Sequence, residues 1–167
     1  GYIKLNRFFF FTNDEFTEAA KNIKKEGANS FILDLRGNGG GYLEQAIKLA
    51  DEFLDDRKLI VYTEGNNINR QDNFATKEGT CEDNPLVILI DEGSASASEI
   101  VAGAVQDWDK GIIIGRRSFG KGLVQRPINL PDGSMIRLTI ARYHTPTGRV
   151  IQKPYEKGRK EYSKELL

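Results

Sequence analysis

The chain is short of the residues that hydrolases and metalloproteins most often rely on, with one Cys, one His, one Met and one Trp among its 167 residues. Cys81 alone cannot close an internal disulfide, and one Cys with one His supplies no ligand set for zinc. A Ser-His-Asp triad would have to run through His144, which precedes Thr145-Pro146, or be absent. Charge of one sign is lacking as well: 24 Lys+Arg offset 24 Asp+Glu for a formal charge of zero. The basic excess that marks phosphate-backbone binding is therefore missing, and nucleic acid is not expected as a partner. No run approaches the ~20 consecutive apolar residues that a bilayer-spanning helix needs, and no basic n-region followed by an apolar stretch opens the chain.

What remains is the composition of a globular domain, 39% hydrophobic. Residues 1–167 are expected to form one domain that buries roughly 70% of the surface its unfolded form would expose, enough for a core without staples. The chain starts at Gly1 and runs straight into strand-like residues, so the expectation is a segment of a longer precursor.

Tyr2 to Phe11 is β-branched and aromatic enough for a strand, and Asn13 to Glu26 places Phe16, Ala19, Ala20 and Ile23 on one helical face. Phe31 to Leu35 is a compact apolar run of the kind buried on both faces of a sheet. Leu43, Ala46, Ile47, Ala50 and Phe53-Leu54 mark a second helix. Leu59 to Thr63 predicts a strand, and Glu64 to Asn84, polar and aperiodic, a long exposed loop. Leu86 to Ile90 predicts a buried strand, Ser96 to Trp108 a helix of small residues, and Gly111 to Gly115, Gly122 to Arg126 and Met135 to Tyr143 further strands. The last two alternate like a half-solvated antiparallel pair joined through Pro131-Asp132-Gly133. The charged tail from Gln152, with Tyr155 and Tyr162, has no pattern. Alternating strands and helices predict an α/β domain with a mainly parallel sheet.

Three turns could carry chemistry. Gly115 to Gly122 imitates a phosphate-binding loop but has Gly122 where Ser or Thr must hold magnesium, and a strand follows rather than a helix. Asp34-Leu35-Arg36-Gly37-Asn38-Gly39-Gly40-Gly41 lacks the third glycine of a dinucleotide fingerprint, since Tyr42 occupies its place. Its bare backbone could instead aim N–H groups at an anionic oxygen, or simply turn the chain from strand to helix. In Gly93-Ser94-Ala95-Ser96-Ala97-Ser98-Glu99, Ser96 and Glu99 have the spacing of a capping box. A hydroxyl at that helix start also suits a nucleophile, and the local pattern does not choose among Ser94, Ser96 and Ser98. The base for such a serine could be a lysine, provided burial without a carboxylate partner favours its neutral form. Lys121 stands between glycines in a stretch free of acidic residues, and Lys121, Leu123 and Gln125 share one strand face.

Together, the motifs Asp34 to Gly40, Gly93 to Ile100 with Ala102-Gly103-Ala104, Phe119 to Gln125 and Ala141 to Arg149 resemble the catalytic domain of the C-terminal processing (tail-specific) peptidases. That resemblance implies a fold like the ClpP/crotonase superfamily and a serine endopeptidase with a Ser-Lys dyad, acting near the C-termini of proteins without metal or cofactor. It places the nucleophile on Ser96, the base on Lys121, a supporting amide on Gln125, and oxyanion donors on Ala97, Gly40 and Gly41. The family often has Pro where this chain has Gly39. Family members carry a peptide-binding PDZ domain ahead of the catalytic region and are mostly exported, which implies periplasm or cell envelope. The competing expectation is a peptide-binding scaffold of the same fold that has lost catalysis.

Overall fold

A computed structural model describes residues 1–76 and 79–155. Its elements run β1 (Tyr2–Lys4), α1 (Thr12–Lys25), β2 (Phe31–Asp34), α2 (Leu43–Asp51), β3 (Leu59–Gly65), β4 (Ile68–Phe74), β5 (Leu86–Ile90), α3 (Ala97–Asp107), β6 (Gly111–Gly115), β7 (Leu123–Asn129) and β8 (Met135–His144). Strands β1-β2-β5-β6 form a parallel sheet, and β4-β3-β8-β7 an antiparallel one. The α/β class is as predicted. The expected antiparallel pair proves to be half of a four-stranded sheet.

Helical crossovers make the first sheet parallel, because a parallel neighbour cannot be reached by a tight turn. α1 buries Thr12, Phe16 and Ala20 and sets Asp14 and Glu15 at its start against Lys24 and Lys25 at its end, which suits its dipole. α2 buries Ala46, Leu49 and Ala50, while α3 is buried along its length from Ala97 to Val105. These faces close on Phe31, Leu33, Leu86 and Ile88 of the sheet, with Phe16 edge-on to Phe53 at 5.4 Å between ring centres. The opposite face is open among the described residues. Tyr2, Ile32, Val87 and Ile112 lie in register across all four strands, and Ile112 is 64% exposed. Burial of β2 on both faces, expected from its apolar run, is thus corrected: only one face has helices on it.

Three other expectations are revised. The strand from Tyr2 to Phe11 stops at Lys4, because the backbone beyond it turns into α1: the Phe9 N–H donates to Thr12 Oγ1 at 2.8 Å and the Thr12 N–H to the Phe9 carbonyl. Within the supposed loop 64–84, β4 pairs with β3, and Cys81 is fully buried. An edge strand with mostly solvent-facing side chains has no apolar alternation to reveal it. Pro127 lies inside β7 opposite Arg137, which is tolerated because β7 is an edge strand. The turn after Leu130 is as expected, with Gly133 at φ +83°. Tyr162 lies outside the described residues.

The two sheets meet along α3. Trp108 Nε1–H donates to the Leu59 carbonyl at 2.8 Å, and the Asp107 carboxylate accepts the Thr147 N–H and hydroxyl and pairs with Arg149. No helix of the described residues is long and apolar enough to cross a membrane.

Candidate active site

The three candidate serines separate by what they touch. Ser94 and Ser98 are fully buried. Their hydroxyls donate to the carbonyls of Leu35 (2.8 Å) and Asn38 (2.9 Å), tying the start of α3 to the glycine loop. Ser96 is only partly buried and holds φ +56°, ψ −111°, the left-handed region that a residue with a Cβ rarely enters. A serine held in this way between a buried strand and a helix N-terminus has the geometry of a strained nucleophile elbow.

The glycine loop is organised by Asn38, itself fully buried. Its Nδ2–H donates to the Leu5 carbonyl (2.8 Å), its Oδ1 accepts the Gly40 N–H (2.9 Å), and its carbonyl accepts the Ala95 N–H (3.0 Å). Asp91 Oδ1 adds the N–H groups of Gly37 (2.8 Å) and Gly93 (2.9 Å). A Cβ on Gly40 would stand 2.6 Å from the Ala95 carbonyl oxygen and 2.8 Å from the Ser96 Cβ, at φ +91°. Only glycine lets this loop lie against the elbow. Of the predicted oxyanion donors, the Gly40 N–H is already engaged by Asn38. Those of Gly41 and Ala97, like that of Gly39, meet no acceptor among the described residues. Just before the loop, Asp34 is fully buried and accepts the Tyr2 hydroxyl (2.7 Å), the Arg36 N–H (3.0 Å) and both arms of the Arg36 guanidinium (2.9 and 2.7 Å). The Arg36 guanidinium, outweighing burial, holds the Asp34 carboxyl far below the usual carboxylate range.

Lys121 sits on the loop from β6 to β7. The buried Glu99 carboxylate organises that loop: Oε1 accepts the Ser118 hydroxyl (2.7 Å) and the Gly120 N–H (2.6 Å), and Oε2 accepts the N–H groups of Lys121 (2.8 Å) and Ser96 (2.8 Å). The Phe119 N–H donates to the Ser94 carbonyl (3.0 Å) and the Lys153 N–H to that of Gly120 (2.9 Å). Ser96 and Lys121 line one cavity of about 360 Å³ with Gly37, Gly39, Gly40, Gly41, Asn6 and Arg7. Among the described residues, no carboxylate lines it. The Lys121 side chain is exposed, so the described residues do not provide the desolvation that the sequence suggested. Gln125 is exposed on β7 and does not line the cavity; its side chain has no hydrogen bond among the described residues. His144 stacks on Tyr62 at 4.5 Å and does not line this cavity, and its buried Nδ1 meets no hydrogen-bond partner among the described residues.

The site therefore unites Ser96, Lys121, Gly40 and Gly41, with Ala97 next to Ser96, and leaves Gln125 aside. Sequence reasoning saw Glu99 only as half of a capping box, which it also forms, and gave Asn38, Asn6 and Arg7 no part. The Asn38 between two glycines was the available signal, since an Asx side chain readily bonds backbone two residues on.

The family profile described as peptidase family S41 matches residues 1–157. This chain belongs to that family. As an S41 chain, it is 41% identical over 156 residues to the carboxyl-terminal-processing protease of Picosynechococcus, covering 92% of this chain and 36% of that protein. It is 40% identical to the carboxy-terminal processing protease CtpA of Bacillus subtilis, covering 92% and 33%. Among solved structures, a photosystem II D1 C-terminal processing protease superposes with TM-score 0.86 at 38% identity, over 91% of this chain and 39% of that one. The chain thus spans about a third of the length of the S41 proteins it matches.

Proposed function

We propose that this chain carries the catalytic apparatus of a serine endopeptidase that cleaves proteins near their C-termini through Ser96 and Lys121. The observation that carries this reading is the shared cavity: a serine held at positive φ, at the N-terminus of an 11-residue helix, opens onto the same space as a lysine and a glycine loop. The relatives' names, carboxyl-terminal-processing proteases, supply the substrate class.

In the proposed cycle, Lys121 in its neutral form takes the Ser96 hydroxyl proton as Oγ attacks the scissile carbonyl. A peptide seated over the cavity would withdraw water from the amine and favour that form. Ala97 and Gly41 N–H groups would hold the oxyanion, Gly40 being committed to Asn38. Lys121 then protonates the leaving amine, and water releases the acyl-enzyme. Gln125, four residues on, would orient the amine by a hydrogen bond formed when substrate is bound.

In the full-length protein, Ser96→Ala and Lys121→Ala are expected to abolish peptide cleavage without unfolding the protein, and a serine-reactive probe is expected to label Ser96. Full activity in Lys121→Ala would sink the dyad. Absence of labelling in an intact full-length protein would favour the silent scaffold. The family reading further implies a PDZ domain ahead of this region, gathering substrate C-termini, and export to the periplasm or cell envelope; the upstream sequence and cell fractionation test both.

A further inference from the structure

We propose that Glu99 is a positioning residue for the Ser96–Lys121 pair, its carboxylate fixing the base to the nucleophile through backbone N–H groups and touching neither the Ser96 hydroxyl nor the Lys121 amine. This rests on the dyad reading above. Lysine carries its amine on a flexible four-carbon stem, so where the amine can reach depends on where its backbone is anchored. The loop from Ser118 to Lys121 contributes no packed element of its own. Its backbone turns at Gly120 with φ +85° and would leave three donors, the Ser118 hydroxyl and the N–H groups of Gly120 and Lys121, without partners. All three end on Glu99. The fourth donor is the N–H of Ser96 itself, so one carboxylate holds the elbow and the base-bearing residue at once, 25 residues apart in sequence (121 − 96).

Two donors on each oxygen fill the four lone-pair sites of a carboxylate, and no other side chain of this length accepts four. Glutamine tests this sharply. Its NH₂ cannot face the Ser96 and Lys121 N–H groups, which are fixed donors. It is forced onto the other side, where the Ser118 hydroxyl can rotate to accept but the Gly120 N–H cannot. Glu99→Gln therefore loosens the loop at Gly120 and keeps the link to Ser96, whereas Glu99→Ala loses all four bonds. Ser118→Ala loses one.

The experiment measures kcat per titrated active site, by burst titration, together with KM for Ser118→Ala, Glu99→Gln and Glu99→Ala in the full-length protein. Displacing a catalytic group by about 1 Å can cost ~10²-fold, so kcat per site is expected to fall about 3-fold, ~10²-fold and ~10³-fold in that order, with KM within about threefold of the parent. Rescue is expected in none, since no variant restores four acceptors. Glu99→Gln with kcat per site within about twofold of the parent would overturn the proposal. So would activity lost wholly as fewer titratable sites with kcat per site intact, the signature of a residue that only supports folding. Should both Glu99 variants fail to fold, Ser118→Ala decides alone, and an unchanged kcat per site there overturns the proposal. Activity that survives Ser96→Ala would count against the dyad instead, and is read on that variant separately.

Discussion

Asp34 shows how much one side chain can hold at the root of the site. It is fully buried, yet it stays ionised because a guanidinium, a phenol and a backbone N–H all donate to it. A carboxyl held below its ordinary value stabilises the fold above that value, and the contribution is lost as pH falls through the lower folded one. Asp34→Asn should accordingly lower the unfolding free energy at neutral pH by about 1.5–3 kcal/mol, the range for hydrogen bonds to a charged group. Urea titrations of parent and variant between pH 7 and pH 2 should show this gap narrowing progressively once pH falls below the ordinary carboxylate value of 3.8; a gap constant with pH would mean that charge at Asp34 is not the cause. Ser96 was one of three equal candidates locally. The family resemblance singles it out, and the physical difference lies in Ser94 and Ser98 donating inward, set by contacts 59 and 60 residues away.

Among elements, those that pack on one face were legible. α1 and α2 follow apolar spacing, and β2 and β5 follow compact apolar runs, because burial dictates residue type there; α3, buried from Ala97 to Val105, was legible by its small residues instead. β4 was not legible: its side chains face solvent, and its partner β3 supplies the order through ladder bonds and the Arg70 guanidinium over the Tyr62 ring at 3.8 Å. The glycine loop was legible as a loop near an anion. Which N–H stays open was not, since that depends on the Asn38 side chain taking Gly40. The close fit of this loop on the elbow gives a prediction of its own. Gly40→Ala places a methyl against the Ala95 carbonyl and the Ser96 Cβ at a φ that alanine disfavours. With an oxyanion donor displaced, kcat in the full-length protein should drop by ~10²–10³. Steady-state kinetics beside a thermal melt would check it, and unaltered kcat in a folded variant would refute the fit.

At the scale of the whole molecule, the candidate pair straddles a joint. Ser96 belongs to a crossover of the parallel sheet, and Lys121 to the segment that leaves it for the antiparallel sheet. Local periodicity describes each side of such a joint and says nothing of how the sides meet, so the Glu99 clamp was visible in sequence only as a helix cap. The open face carrying Tyr2, Ile32 and Ile112 was likewise hidden, because an isoleucine reads the same whether or not a neighbour covers it.

Cys81, which first served only to exclude a disulfide, gives the molecule an internal clock. Its sulfur is fully enclosed, and burial pushes the thiol up to about 11, so the reactive thiolate is scarce twice over. A disulfide reagent at pH 8 should leave the folded chain untouched and modify it at once in denaturant, and the slow rate between those limits measures how often the region around α2 breathes open. Prompt modification of the native chain would show that this enclosure is not kept in solution. Since the cysteine is solitary, every such event has one address, and variants at the joint between Ser96 and Lys121 can be compared for loosening without introducing a label.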